Sequence, residues 1–315
     1  MFHASVYLSI CGSCVALTAL LRLDNDAVGL AWIAALAIGV LGVPHGGLDH
    51  WAGKRLLQPR IKRYWPLAFF PVYLVVGLGV AAGWALLPVV TVIVFFLMSA
   101  WHFGREESDR SSARAPSHLI DLASGGLIIW TPMLFRSAET QQLLTHVCGG
   151  DGEAAAVIVA LTRPIATVML CLVLMFWVKL CRDGKRQQLS IGLGTFVVAC
   201  STPILISFTV YFCLWHSVLG LQHLRASEGL SWRSFLVHVA PLSIAAIVGT
   251  FVMGHYFGIV SIDALSRSNV LYLSFLGLAS IAVPHVIMHE VIVDRYLPES
   301  NCDQDDSASV RGAVA

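Results

Sequence analysis

"AWIAALAIGVLGVPHGGLDHWAGKR", residues 31–55, runs from an unbroken apolar stretch into two histidines, an aspartate and then basic residues. The apolar part has the length and character of a membrane-crossing helix. Its last ten positions, "GVPHGGLDHW" (residues 42–51), carry polar chemistry that an apolar helix does not need for packing.

The rest of the chain repeats this contrast. Of its 315 residues, 57% are apolar and 12% charged, against about 25% charged in an ordinary soluble domain. A soluble protein could not cover that much apolar surface with so few charges. The net charge of +1 argues against a nucleic-acid or acidic partner. Apolar runs of about 18–24 residues match the length needed to cross about 30 Å of hydrocarbon. The expected fold is therefore all-α: a polytopic integral membrane protein of about ten transmembrane helices. The spans are expected near 4–21, 27–46, 66–86, 87–104, 117–135, 164–181, 188–202, 203–223, 235–256 and 269–291. The seventh and eighth share one apolar stretch interrupted at Pro203, and Ala154–Leu161 in the 136–163 connection reads as a short interfacial helix. Residues 1–297 form one membrane-embedded domain with no internal repeat. The polar tail 298–315 is expected to be disordered. The first apolar run has neither a basic flank nor a clear cleavage site, so no signal peptide is expected.

Lys and Arg orient the chain. Lys54, Arg55, Arg60, Lys62, Arg63, Arg105, Arg110, Arg114, Lys179, Arg182, Lys185, Arg186, Arg225 and Arg233 fall in even-numbered connections. Only Arg22, Arg136, Arg163 and Arg267 fall in odd ones. By the positive-inside rule both termini and the even connections are cytoplasmic, in a cell (inner) membrane.

On this map His45 and His50 lie at the cytoplasmic end of span two, His102 closes span four, His216 and His223 close span eight, and His285 and His289 close span ten. Seven of the twelve histidines thus share one membrane level on four helices. Polar residues at the hydrocarbon edge are costly and usually functional, and several neutral imidazoles at one level read as a site for Fe, Zn or Cu. His285 and His289 are four apart, so their rings share a face about 6 Å apart along the axis. His216 and His223 share a face but lie about 10.5 Å apart, so both reach one ion only if the helix deforms near Gly220. Pro44, Gly46 and Gly47 should break span two and turn His45 inward. Asp49 then suits an outer role, accepting the second N–H of a ligating imidazole. Glu106, Glu107 and Glu290 flank the histidine segments, either tuning ligands or as solvated helix-end charges. His3, His118, His146, His238 and His255 read as ordinary hydrogen-bonded or interfacial residues. Cys11–Cys14 reads as packing, and the other cysteines form no metal or disulfide framework. Trp101 and Trp215 read as interface-belt residues or as lining for a flat apolar substrate.

"VPHGGLDHW", "WHFGREE", "LWHS…QHL" and "VPHVIMHE", in that order on ten spans, resemble the Brp/Blh family of membrane β-carotene 15,15'-dioxygenases associated with microbial rhodopsins. The resemblance covers nearly the whole chain and implies non-haem Fe(II), O2 as co-substrate and central cleavage of β-carotene to two molecules of all-trans-retinal. It places ligands at His45, His102 and His216. The family pattern has a second histidine four residues after the third ligand, where this chain has Gly220. The fourth ligand is expected from His223, or alternatively from His285 or His289, with His50 as a further candidate. The substrate would enter from the lipid. Two rival classes are a diiron histidine-box desaturase or hydroxylase of lipids or carotenoids and a non-enzymatic metal- or retinal-handling protein. The first usually needs about eight ligands and an adjacent His–His pair; this chain has seven candidates and no such pair.

Overall fold

The computed structural model describes residues 4–23, 29–110, 117–256 and 266–293, and every regular element among them is helical. Helix α1 (Ala4–Leu21) packs on α10 (Arg186–Ser201), where Tyr7 Oη and Thr195 Oγ1 share a buried hydrogen bond of 2.9 Å. Helix α2 (Leu30–Ala37) continues through a π-helical turn, Ile38–Gly42, and a tight 3-10 turn, Val43–Gly46. The chain then starts afresh as α3 (Asp49–Ile61) and α4 (Trp65–Leu86). The break expected at Pro44–Gly47 is thus present, although the helical path never leaves the interval Leu30–Leu86 for long.

Helix α5 (Pro88–Arg110) crosses α6 (His118–Gly125) at very short range. A Cβ on Gly104 would overlap the backbone of Asp121, and one on Gly125 would overlap the backbones of Ala100 and Gly104. Small residues at such a crossing let helices approach closely where lipid offers no hydrophobic drive for association. Helix α6 bends by 59° into α7 (Leu127–Phe135), and α8 (Ser137–Val147) follows. Helix α9 (Gly152–Arg182) is one element of 31 residues, so Ala154–Leu161 is its first part and not a separate interfacial helix. The Asp151 side chain caps it by accepting from the Ala154 N–H at 2.9 Å.

After α10 the chain breaks at Thr202–Pro203, where the shared apolar stretch was expected to divide. Helix α11 (Ile204–Thr209) passes through a π-helical segment, Val210–Ser217, into α12 (Val218–Ser227). Helices α13 (Trp232–Tyr256) and α14 (Arg267–Val286) complete the bundle, α14 ending in a third π-helical segment, Ile287–Val293. Helix α14 is buried on nearly all sides and touches α2, α4, α5, α8 and α13, which makes it the central post. Outward faces of the peripheral helices are apolar, as at Leu36, Val75 and Val252, the surface a hydrocarbon environment requires.

Seven helical stretches among the described residues are long and apolar enough to cross a membrane, or eight with the bent α6–α7 pair. The expected ten is approximate for two reasons. Spans two and three merge into the near-continuous path Leu30–Leu86, and α10 is only 16 residues long. The tail 298–315, His3 and Cys302 lie outside the described residues.

Candidate metal centre

Four helical segments each deliver one imidazole to a common point. His45 lies in the turn Val43–Gly46, His102 on α5, His216 in the π-helical segment Val210–Ser217, and His285 directly after Pro284 on α14. Ring centroids are 4.9 Å apart for His45–His216, 5.1 Å for His45–His285, and 5.4 Å for both His102–His216 and His102–His285. His45 and His102 are more separated, at 6.4 Å. The three π-helical segments among the described residues precede or contain His45, His216 and His289. Such wider turns recur at functional sites because they re-aim side chains without ending the helix.

Glu106 joins the cluster from one turn beyond His102. Its Oε2 lies 3.1 Å from His216 Nδ1, 3.7 Å from His45 Nε2 and 3.9 Å from His102 Nε2. His45, His102, His216 and Glu106 each offer one donor atom, all within 4.8 Å of one another. Metal–nitrogen bonds of about 2.1 Å put opposite donors of one ion about 4.2 Å apart, so small shifts suffice to close these four around a metal.

The outer partners fit as well. His102 Nδ1 is 2.9 Å from Glu290 Oε1, and Arg105 Nε is 3.5 Å from the other oxygen of Glu290. His285 Nδ1 meets both oxygens of Asp49, at 2.8 and 3.0 Å, while the Tyr73 hydroxyl donates to Asp49 at 2.7 Å. The remaining nitrogens, His102 Nε2 and His285 Nε2, are buried with no hydrogen-bond partner among the described residues. Leaving a buried polar atom unsatisfied costs about 1–3 kcal/mol. A carboxylate holding one ring nitrogen while the other faces inward is the usual setting of a metal-bound histidine. The residues present therefore fit a metal ion.

The other expected site residues fall elsewhere. His289 lies beside His285, with ring centroids 4.6 Å apart, and its Nε2 is 3.1 Å from the Asp49 Oδ1 that His285 also meets. Asp49, His285 and His289 thus form a second close group, in which both rings of the i,i+4 pair meet one carboxylate while His285 also borders the imidazole cluster. His50 is half-buried against Trp51. His223 is exposed on α12, which stays regular through Gly220; the distortion lies upstream, at Val210–Ser217. A straight helix carries the position seven residues on about 10.5 Å away, so His223 stays outside the cluster. Position 220 does face it, for a Cβ there would collide with the His45 ring. Glu106 was legible only as a flanking charge, though its four-residue spacing from His102 was a usable signal. Tyr73 had none, because it reaches Asp49 from another helix. His146 and His238 make ordinary hydrogen bonds, to Ser268 Oγ at 2.9 Å and the Ser234 carbonyl at 2.7 Å. Trp215 is buried against Tyr7, away from the imidazoles.

An apolar cavity of about 1140 Å³, counting its open mouth, starts at the imidazoles. Phe95, Phe96, Phe103, Phe208, Phe212 and Phe275 line it. A second cavity, of about 1180 Å³, lies across the turn Val43–Gly46 and shares Val43, Gly46 and Ile281 with the first. Its wall includes Phe70, Leu74 and Leu78, which are also exposed on the outer face of α4.

These features define an all-helical membrane protein with a histidine–carboxylate cluster suited to a metal, set beside long apolar cavities. The chain belongs to the β-carotene 15,15'-dioxygenase family, whose model matches residues 36–292. It is 25% identical over 279 residues to the β-carotene 15,15'-dioxygenase of uncultured marine bacterium 66A03, covering 83% of this chain and 93% of that one. It is 24% identical over 241 residues to the probable β-carotene 15,15'-dioxygenase Blh of Halobacterium salinarum, covering 66% of this chain and 69% of that one. No solved structure matches.

Proposed function

We propose that the protein is a non-haem iron(II) dioxygenase that cleaves β-carotene at its central 15,15' double bond with O2, yielding two molecules of all-trans-retinal. The observation that carries this reading is the pair of orphaned, buried nitrogens, His102 Nε2 and His285 Nε2, beside a long apolar cavity. Family membership adds the substrate. His45, His102 and His216 would hold the iron, with His285 the nearest further imidazole, in place of the expected His223. Bound there, iron(II) supplies the activation of O2.

The chain's own residues do the rest. Asp49 and Glu290 fix the rings of His285 and His102, so their second nitrogens face inward. The phenylalanine-lined wall binds polyene through dispersion and keeps water from the site. No side chain need exchange a proton with a hydrocarbon substrate, and the carboxylates of the site, Asp49, Glu106 and Glu290, hold imidazoles or lie among them. The shared wall at Val43, Gly46 and Ile281 suits a symmetric substrate with one half in each cavity. The exposed apolar flank of α4 suits lateral entry from lipid. The product would serve a retinal-binding rhodopsin. The diiron reading gains nothing from the second close group, since His285 and His289 there face Asp49 through hydrogen bonds.

Expression in a β-carotene-accumulating bacterium tests this. Colour should fade and all-trans-retinal should appear in extracts. Retained pigment beside well-expressed, iron-loaded protein overturns the substrate assignment.

A further inference from the structure

We infer that Glu106 is itself a ligand of the metal, so that this chain's centre is a mixed imidazole–carboxylate site. The inference rests on the metal-site reading above and gives a ligand's role to a residue that the proposed all-histidine iron set omits.

Three observations carry it. First, His102 and Glu106 are four apart on the regular helix α5, so they share a face. Their Nε2 and Oε2 lie 3.9 Å apart, and one helix presents both donors to the same point. Second, Oε2 lies 3.1–3.9 Å from nitrogens of three rings that arrive on three separate segments. A hydrogen-bond acceptor serving one histidine has no reason to sit at the common centre of three. A part-buried carboxylate gathered with three imidazoles is stabilised by a cation at their centre, and a divalent ion serves all four groups. Third, Gly220 clears the space. An ideal Cβ at position 220 would collide with the His45 ring and come within 3.2 Å of Glu106 Oε1. Glycine on the facing helix thus leaves room for the imidazole and the carboxylate side by side.

The chemical consequence is selectivity. Imidazoles alone suit Zn, Cu, Fe and Ni, whereas carboxylates suit harder ions such as Mn and Mg; mixed His–carboxylate sets are the signature of non-haem Fe(II) oxygenases. A carboxylate ligand also cancels one unit of the ion's charge, which an all-imidazole set leaves intact.

The test uses the purified full-length protein, stripped of metal and reloaded with Co(II), whose visible bands report the donor set, and separately with Fe(II). The wild type should take up one ion per chain. Glu106→Gln should weaken uptake by about 100-fold or more, at or beyond the top of the range for losing an outer partner, and should displace the Co(II) bands. Glu107→Gln, the same charge change one residue along, should alter neither. If Glu106→Gln does not fold, Glu106→Asp keeps the charge while withdrawing the carboxylate by one methylene, and should give the same two changes. Wild-type uptake with unchanged bands in the folded variant overturns the inference, because Gln keeps the size of the side chain and removes its charge. Absence of stoichiometric uptake by the wild type overturns the metal-site reading as well, so the two failures are distinct.

Discussion

Asp49 ties the imidazole cluster to its surroundings through His285. Asp49 is buried between His285 and His289 and accepts from Tyr73. Asp49→Asn keeps the shape but removes the charge and one acceptor, so the His285 ring loses the partner that fixes its orientation. Activity should fall about 10- to 100-fold while most of the metal is retained; turnover and metal content measured on one preparation check this. Wild-type turnover would reduce Asp49 to a helix-end charge. At this scale the sequence was informative where polarity conflicted with depth: His45, His102, His216 and His285 stood out because an apolar span has no packing use for them. Register decided the rest. His223 needed a bend near Gly220 to reach the cluster, and periodicity cannot tell where a helix will distort; the π-helical segment lies upstream of it. Glu106 looked like a surface charge because nothing in a linear string shows three imidazoles folding over it.

Among the elements, the α5–α6 crossing positions the site without contributing a ligand from α6. Gly104 lies between His102 and Glu106 on α5, and a Cβ there would overlap the backbone of Asp121, so any side chain must separate the helices. Gly104→Ala should therefore lower thermal stability, by about 1–3 kcal/mol as for other overpacked contacts. It should also reduce metal content, because both donors on α5 would be displaced together. A drop in melting temperature with full metal occupancy would show that the crossing is structural only. Glycine and proline punctuation explains why some boundaries were readable: Pro44–Gly47 and Pro203 end helices in the structure where they were expected to. The π-helical segments were not readable, for Ile38–Gly42, Val210–Ser217 and Ile287–Val293 have the composition of ordinary apolar helix. Their extra residue per turn depends on packing and on where the histidines must point. The same blindness split α9, because the polar residues Thr162 and Arg163 suggested an end that the 31-residue helix passes through.

At the level of the whole molecule, the bundle sets a distance. His285 and Phe275 both line the first cavity and lie ten residues apart on α14, about 15 Å at 1.5 Å per residue. The far end is closed by α8, whose C-terminal part sits beside the start of α14 through His146 Nδ1 and Ser268 Oγ at 2.9 Å. Trp84 Nε1 donates to the Val147 carbonyl at 2.9 Å and stiffens that wall. An extended chain gains about 1.2 Å per bond, judged from the 3.3–3.6 Å covered by three backbone bonds. Nine bonds from the ring of β-carotene to its central carbon then span about 11 Å by the same measure, and the ring adds several more. The cavity thus has about the length of half a β-carotene, as the proposed central cleavage at the imidazoles requires. Leu144 lines this far end and is buried. Leu144→Phe should push the ring back toward the metal by one or two bonds. β-Carotene should then be cleaved off-centre, giving unequal apocarotenals, or be left uncleaved, while metal uptake stays at the wild-type level. Chromatography of the products beside metal content separates these outcomes from general damage. Retinal as sole product at the wild-type rate would mean that the end wall does not measure the substrate, and that the cleaved bond is chosen by contacts at the imidazoles alone.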